Sequence, residues 1–270
     1  MVQTFRIENK ATTSDKTMAG HSKYANIKHR KNAQDAKRAK KFNKLAREIS
    51  VAVRVGGGED PEFNPRLRSA ISSAKSDNMP NDRIDRAIQA GLGIVGDEAN
   101  YEEIRYEGYG PGGVAVIVEA LTDNRNRSAS EIRTAFAKYG GSMGETGSVS
   151  YMFDRVGRIR YPATVAGETE MLEAAIEMGA QNLKTEKTRH TIITSVDDFV
   201  DVLSAMEKKF GQPAASGLAW IPQTPATPAG DVDDTLTTML EVLDDLDDVQ
   251  KIYMNYEMEN NPLEQSEESA

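Results

Sequence analysis

Between Lys23 and Arg54 the sequence places eleven Lys and Arg residues against two acids, Asp35 and Glu48, although the 270-residue chain has a formal net charge of -9. Lys23, Lys28, His29, Arg30, Lys31, Lys37, Arg38, Lys41, Lys44 and Arg47 form the candidate binding set. Cations at this density repel one another unless an anionic partner is expected, and a phosphate backbone is the obvious polyanion. A merely solvated helix face is the competing reading. Asn26, Asn32 and Gln34 could reach base edges or sugars, but nothing in the sequence demands it. A smaller group lies in TDNRNRS, Thr122 to Ser128, where Arg125 and Arg127 stand at a helix start whose amides also favour an anion. An ordinary helix N-cap is the simpler account of that loop.

Other chemistry thins quickly. GYGPGG, Gly108 to Gly113, fits G-x-G-x-x-G on paper, but a strand follows it where the dinucleotide motif needs a helix. Pro111 also removes an amide that a phosphate would want, so a turn is the better reading. His21, His29 and His190 are scattered, and the chain has no Cys, so neither zinc ligation nor thiolate catalysis is indicated. Asp244-Asp245 and Asp247-Asp248 lack the order of a calcium loop and read as a solvated helix end. No nucleophile elbow, catalytic triad order or P-loop lysine is present. No enzyme, cofactor, metal or small-molecule substrate is expected.

The elements that carry the cations come next. Apolar residues at Ala33, Ala36, Ala39, Phe42, Leu45, Ile49 and Val53 fall at steps of three and four, which predicts one helix face with the cations largely off it. The preceding Lys23–Arg30 reads as a flexible lead. Gly56-Gly57-Gly58 stops the helix. Asn64-Pro65 announces a second helix through RLRSAISSAKS, and a third runs after Pro80 to Gly91. Beyond the linker GLGIVGDEAN, strands and helices alternate. YEEIRYEGYG and GVAVIVEALTD form a hairpin, followed by a helix in RSASEIRTAFAKYG and a strand in SVSYMF. RIRYP, RHTIITS, GLAWIP and VQKIYMNYEM read as further strands, with helices in ETEMLEAAIEMGA, DDFVDVLSAMEKKFG and DDTLTTMLEVLDDL.

The helices ending AKYG and EKKFG rhyme, as do EMLEAAIEMGAQNL and TMLEVLDDLDDVQKI. Two related α/β sandwiches, one inserted in the other, would explain both rhymes. The expected fold is therefore α+β: a three-helix basic domain at 18–92, an α/β domain at 98–154 plus 228–258, and an inserted α/β domain at 155–227. Residues 259–270 read as a polar tail. Residues 1–17 carry no apolar signal region, and read as a disordered leader or as sequence before an alternative start at Met18. No run approaches the ~18 apolar residues of a membrane span, and the lack of Cys fits a reducing cytosol, so a cytoplasmic protein is expected.

AGHSKYANIKHRKNAQDAKRAKKF and NPRLRSAISSAKSDNMPNDRIDRAI resemble the opening of the YebC family, and YEGYGPGGVAVIVEALTDNRNRSASEIRTAF and GSVSYMF continue the match. The resemblance runs from about Met18 to the final strand. It implies an N-terminal helical domain and two α/β domains. Family members are described as DNA-binding transcriptional regulators, while others, including a mitochondrial translational activator of a cytochrome oxidase subunit, act on ribosomes. The family begins at the MAG matching Met18, so residues 1–17 depart from its pattern. It supplies no catalytic residue.

Three functions compete: a DNA-binding regulator of transcription, an RNA- or ribosome-associated translation factor, and a protein-interaction scaffold whose basic face meets an acidic partner. The first has most family precedent. The polar lead SKYANIKHRK suits irregular RNA surfaces at least as well as a regular groove, which favours the second on physical grounds.

Overall fold

The computed structural model describes residues 19–95, 101–228 and 231–258, with side chains from residue 35 onward. The chain falls into two units, Met1–Lys40 and Lys41–Ala270.

Helix α1, Ala19–Val55, is 37 residues long. It begins at Ala19, so the expected flexible lead at Lys23–Arg30 is helical. Ala, Lys, Arg and Gln are good helix formers, and neither Pro nor Gly interrupts the run after Gly20. The apolar stripe is buried only in part. Ala36 and Ala39 are exposed, whereas Phe42, Ile49, Ala52 and Val53 pack into a core with Leu67, Ala74 and Ile84. Glycine ends α1: Gly57 and Gly58 take positive φ, and Gly58 N–H closes on the Val53 carbonyl.

Helices α2, Pro65–Ser76, and α3, Asn81–Gly91, complete the helical part. Asn64 joins α1 to α2. Its Oδ1 accepts from the Leu67 amide at 3.0 Å, and its Nδ2 donates to the Ala52 carbonyl at 2.8 Å and the Gly58 carbonyl at 2.9 Å. One buried side chain thus caps the start of α2 and satisfies the end of α1.

The rest of the described chain builds two four-stranded antiparallel sheets. Strands β1, Glu102–Tyr109, and β2, Ala115–Thr122, pair around the Gly-Pro turn, with Tyr106 opposite Val118. GYGPGG is therefore a hairpin connection, with Gly112 and Gly113 at positive φ. After α4, Arg125–Lys138, comes the two-residue β3, Ser142–Met143. Strand β4, Phe153–Pro162, α5, Glu168–Glu177, β5, Asn182–Thr185, β6, Arg189–Thr194, α6, Phe199–Phe210, and β7, Ala215–Pro222, follow. Helix α7, Asp233–Asp244, and β8, Val249–Met254, close the described chain.

The sheet orders are β3-β1-β2-β8 and β5-β6-β4-β7. Since β8 pairs with β2, the second sheet lies wholly within the sequence of the first. Helices α4 and α7 bury one face of the first sheet through Ile132, Phe136, Leu236, Met239 and Leu240. Helices α5 and α6 bury one face of the second through Met171, Ala174, Val202, Leu203 and Met206. The remaining faces meet around Ile117, Phe153, Val156, Ala219 and Tyr253. Strand β2, buried on both faces, accordingly reads as a continuous apolar run.

Each sheet carries two helices on one face, α4 and α7 on the first and α5 and α6 on the second. Read from its β7 edge, the second sheet runs β7-β4-β6-β5. Helices α4 and α6 then each leave the third strand for the first, and α7 and α5 each lead to the fourth, the pairing that the sequence rhymes suggest.

SVSYMF is a strand only from Phe153, because residues Ser150–Met152 form a 3-10 turn. The physical reason is Glu107. Its Oε2 accepts from the amides of Val149 at 2.9 Å and Ser150 at 2.8 Å, so these amides do not enter a strand ladder.

Candidate nucleic-acid interface

The candidate cations meet different fates along α1. Lys23, Lys28, His29, Arg30 and Lys31 belong to the stretch whose side chains lie outside the described residues; the helix backbone passes through all of them. Lys37 and Arg38 are exposed, in a run from residue 35 to 39 that is exposed throughout.

From residue 41 the cations engage acids of their own chain. Lys41 Nζ stands 2.6 Å from Asp77 Oδ1, at the end of α2. Lys44 Nζ donates to both the carbonyl and the carboxylate of Asp244, the latter at 3.0 Å. The guanidinium of Arg47 is still more committed. Its Nη1 reaches the Leu121 carbonyl at 3.0 Å, the Asp247 carbonyl at 2.8 Å and Asp248 Oδ1 at 3.0 Å, while its plane lies 4.8 Å from the Tyr101 ring centre. Helix α1 holds this side chain against the end of β2 and the turn before β8, because Ile49 and Val53 on the neighbouring face are fixed in the core.

The second candidate group converges on the same carboxylate. Asn124 caps α4 through the Arg127 amide at 3.1 Å, which is the ordinary capping role. Arg127 Nη2 also binds Asp123 Oδ1 at 2.8 Å and Asp248 Oδ2 at 2.7 Å. Arg125 is mostly exposed, with Glu102 at 3.8 Å. Ser128 Oγ and Thr122 Oγ1 donate to Asp248 Oδ2 at 2.6 and 2.9 Å. Burial alone would raise the Asp248 carboxyl, but the hydrogen bonds from Ser128, Arg127 and Thr122, with the Arg127 charge, hold it below the usual carboxylate range. The paired carboxylates in turn raise Arg127, so the guanidinium is held protonated all the more firmly.

Asp248 thus collects Arg47 from the first candidate group and Arg127 from the second. In sequence it ends an acidic run that looks like a solvated helix end, yet only 3% of it is exposed. Its role was hidden by separation: Arg47 precedes it by 201 positions and Ser128 by 120. The available signal was charge complementarity between the basic first helix and the acidic C-terminal stretch.

Two more arginines missed by motif reading extend the pattern. Arg66 of α2 pairs with Glu48 at 2.8 Å and with Glu103 of β1, and Arg68 pairs with Glu207 of α6 at 3.1 Å. Among the described residues, no group of three or more His, Asp or Glu side chains could hold a metal ion. No described helix is long and apolar enough to cross a membrane.

Two family models match this chain. One, described as the TACO1/YebC protein N-terminal domain, covers residues 22–94. The other, named for transcriptional regulation and described as the TACO1/YebC second and third domain, covers residues 101–256. Among solved structures, a conserved hypothetical protein from Aquifex aeolicus is 44% identical, with a TM-score of 0.75 over 85% of this chain and 94% of that one.

Proposed function

This chain belongs to the TACO1/YebC family, and from that premise we propose that it is a non-enzymatic, DNA-binding regulator of transcription. The family model's name supports regulation of gene expression broadly. The observation that carries the DNA reading is the long helix α1 with its crowded cations, Lys23 to Arg38 above all. A major groove about 12 Å wide admits an α-helix, and Lys or Arg on its flanks neutralise phosphates on either side. A helical Lys23–Arg30 stretch also suits a regular groove. Arg125 is a further phosphate contact at the α4 start, being mostly solvent-exposed. The partner is nucleic acid in the cytoplasm, with no membrane, cofactor or small-molecule substrate.

Lysate fractionated on a sucrose gradient tests the choice of nucleic acid. The protein is expected to leave the light fractions only while DNA is intact, and crosslinked material should yield discrete DNA footprints. Co-migration with ribosomes that survives DNase and is lost in high salt would establish the translation-factor reading instead. Retention on neither would favour the interaction scaffold.

A further inference from the structure

We propose that the acidic connection Asp244–Asp248 is an internal competitor for phosphate: a clasp that holds Lys44 and Arg47 and yields Lys44, its outer cation, when nucleic acid binds. The inference rests on the nucleic-acid reading above and adds a means of regulating it.

The first observation is the chemistry of the acceptors. Lys44 meets a carbonyl and a carboxylate of Asp244, while Arg47 meets the Asp247 carbonyl and the Asp248 carboxylate. Closely spaced anionic and carbonyl oxygens presented to successive turns of a basic helix mimic a stretch of phosphate backbone. Lys44 and Arg47, three residues apart, lie on one face of α1 and are engaged together.

The second observation is a graded strength. At the inner end Asp248 is deeply buried and held by four side chains, so that end is firm. At the outer end Asp244 is half exposed, with 52% of its side chain accessible. An ion pair open to water on one side contributes little net stability and is screened by salt, so it exchanges readily for another anion. A phosphate run, which gains further from counterion release, can replace the outer pair without disturbing the inner one. The clasp therefore opens from Lys44 inwards.

The test compares four proteins by fluorescence anisotropy on one labelled duplex DNA, with salt varied from about 50 to 200 mM. D244N removes the negative charge of the outer acceptor at an exposed position. E241Q removes the same charge one turn earlier on α7, where the side chain is exposed and, among the described residues, forms no ion pair with α1. D248N attacks the buried hub, and circular dichroism establishes whether it folds. D244N is expected to bind about threefold more tightly than E241Q, with a log–log salt slope steeper by about 0.9 for the released Lys44. Equal affinity and slope in D244N and E241Q would overturn the clasp and leave the nucleic-acid reading standing. Binding by D244N where the wild type shows none would support a clasp that is shut in the resting protein. Absence of binding in every variant would overturn both.

Discussion

Two buried carboxylates do most to fix local structure at the level of single residues. Glu107, 1% exposed, accepts from the amides of Val149 and Ser150 through one oxygen and from Arg105 Nε at 2.8 Å through the other. Burial works to raise its carboxyl, but these backbone donors and the Arg105 charge leave it below the ordinary value. Asp248 is depressed in the same way. A carboxyl depressed in the folded state binds fewer protons there than in the unfolded chain. Its stabilisation is complete above the unfolded value and is lost as pH falls through the folded one. Thermal unfolding followed from neutral pH downwards should thus show a plateau above about pH 5 and a steep fall below about pH 4. E107Q turns an amide toward donors that need an acceptor, and should cost about 1–3 kcal/mol at neutral pH. It should also flatten the acid limb. A variant with wild-type stability at pH 7 would show that the Val149–Ser150 turn does not depend on Glu107. No sequence pattern marks such a residue: Glu107 alternates with Arg105 along β1 like any solvated pair, and its partners lie 42 and 43 positions away.

The α1–α2 junction, at the scale of elements, is plainly legible, because capping is local chemistry. Asn64-Pro65 and the glycine run at 56–58 mark the α1–α2 junction in the sequence and form it in the structure. The same junction yields a prediction. N64A removes a cap and two bonds to carbonyls at once, so it should destabilise by about 1–3 kcal/mol, more than a simple exposed cap. Denaturant unfolding would read this as a lower midpoint at unchanged slope. No change would mean that water replaces the cap at no cost. The short edge strands β3 and β5 were not legible. Two residues, Ser142–Met143, carry no alternation, and NLKT is too polar and brief to stand apart from the loop before β6. The apolar stripe of α1 is legible in period but not in extent. Alanine at 36 and 39 has too little side chain to require burial, whereas Phe42 and Ile49 do.

Charge polarity organises the whole molecule. Within residues 41–270, four cations of the helical part, Lys44, Arg47, Arg66 and Arg68, each meet a carboxylate of the α/β part: Asp244, Asp248, Glu103 and Glu207. Composition revealed the two charge pools, but not that part of each is used up in joining the other. That requires knowing which residues, from 37 to 201 positions apart, the fold brings together. The cations nearer the N-terminus are then the ones on which the proposed function rests. The salt dependence of DNA binding by the triple variant K31Q/K37Q/R38Q, set beside the wild type, tests this most directly. These positions precede the apolar core of α1, so thermal stability should stay unchanged. The account predicts weaker binding across unrelated sequences and a log–log slope shallower by about 2–3, close to 0.9 for each lost phosphate contact. A triple variant that keeps the wild-type affinity and slope would contradict it.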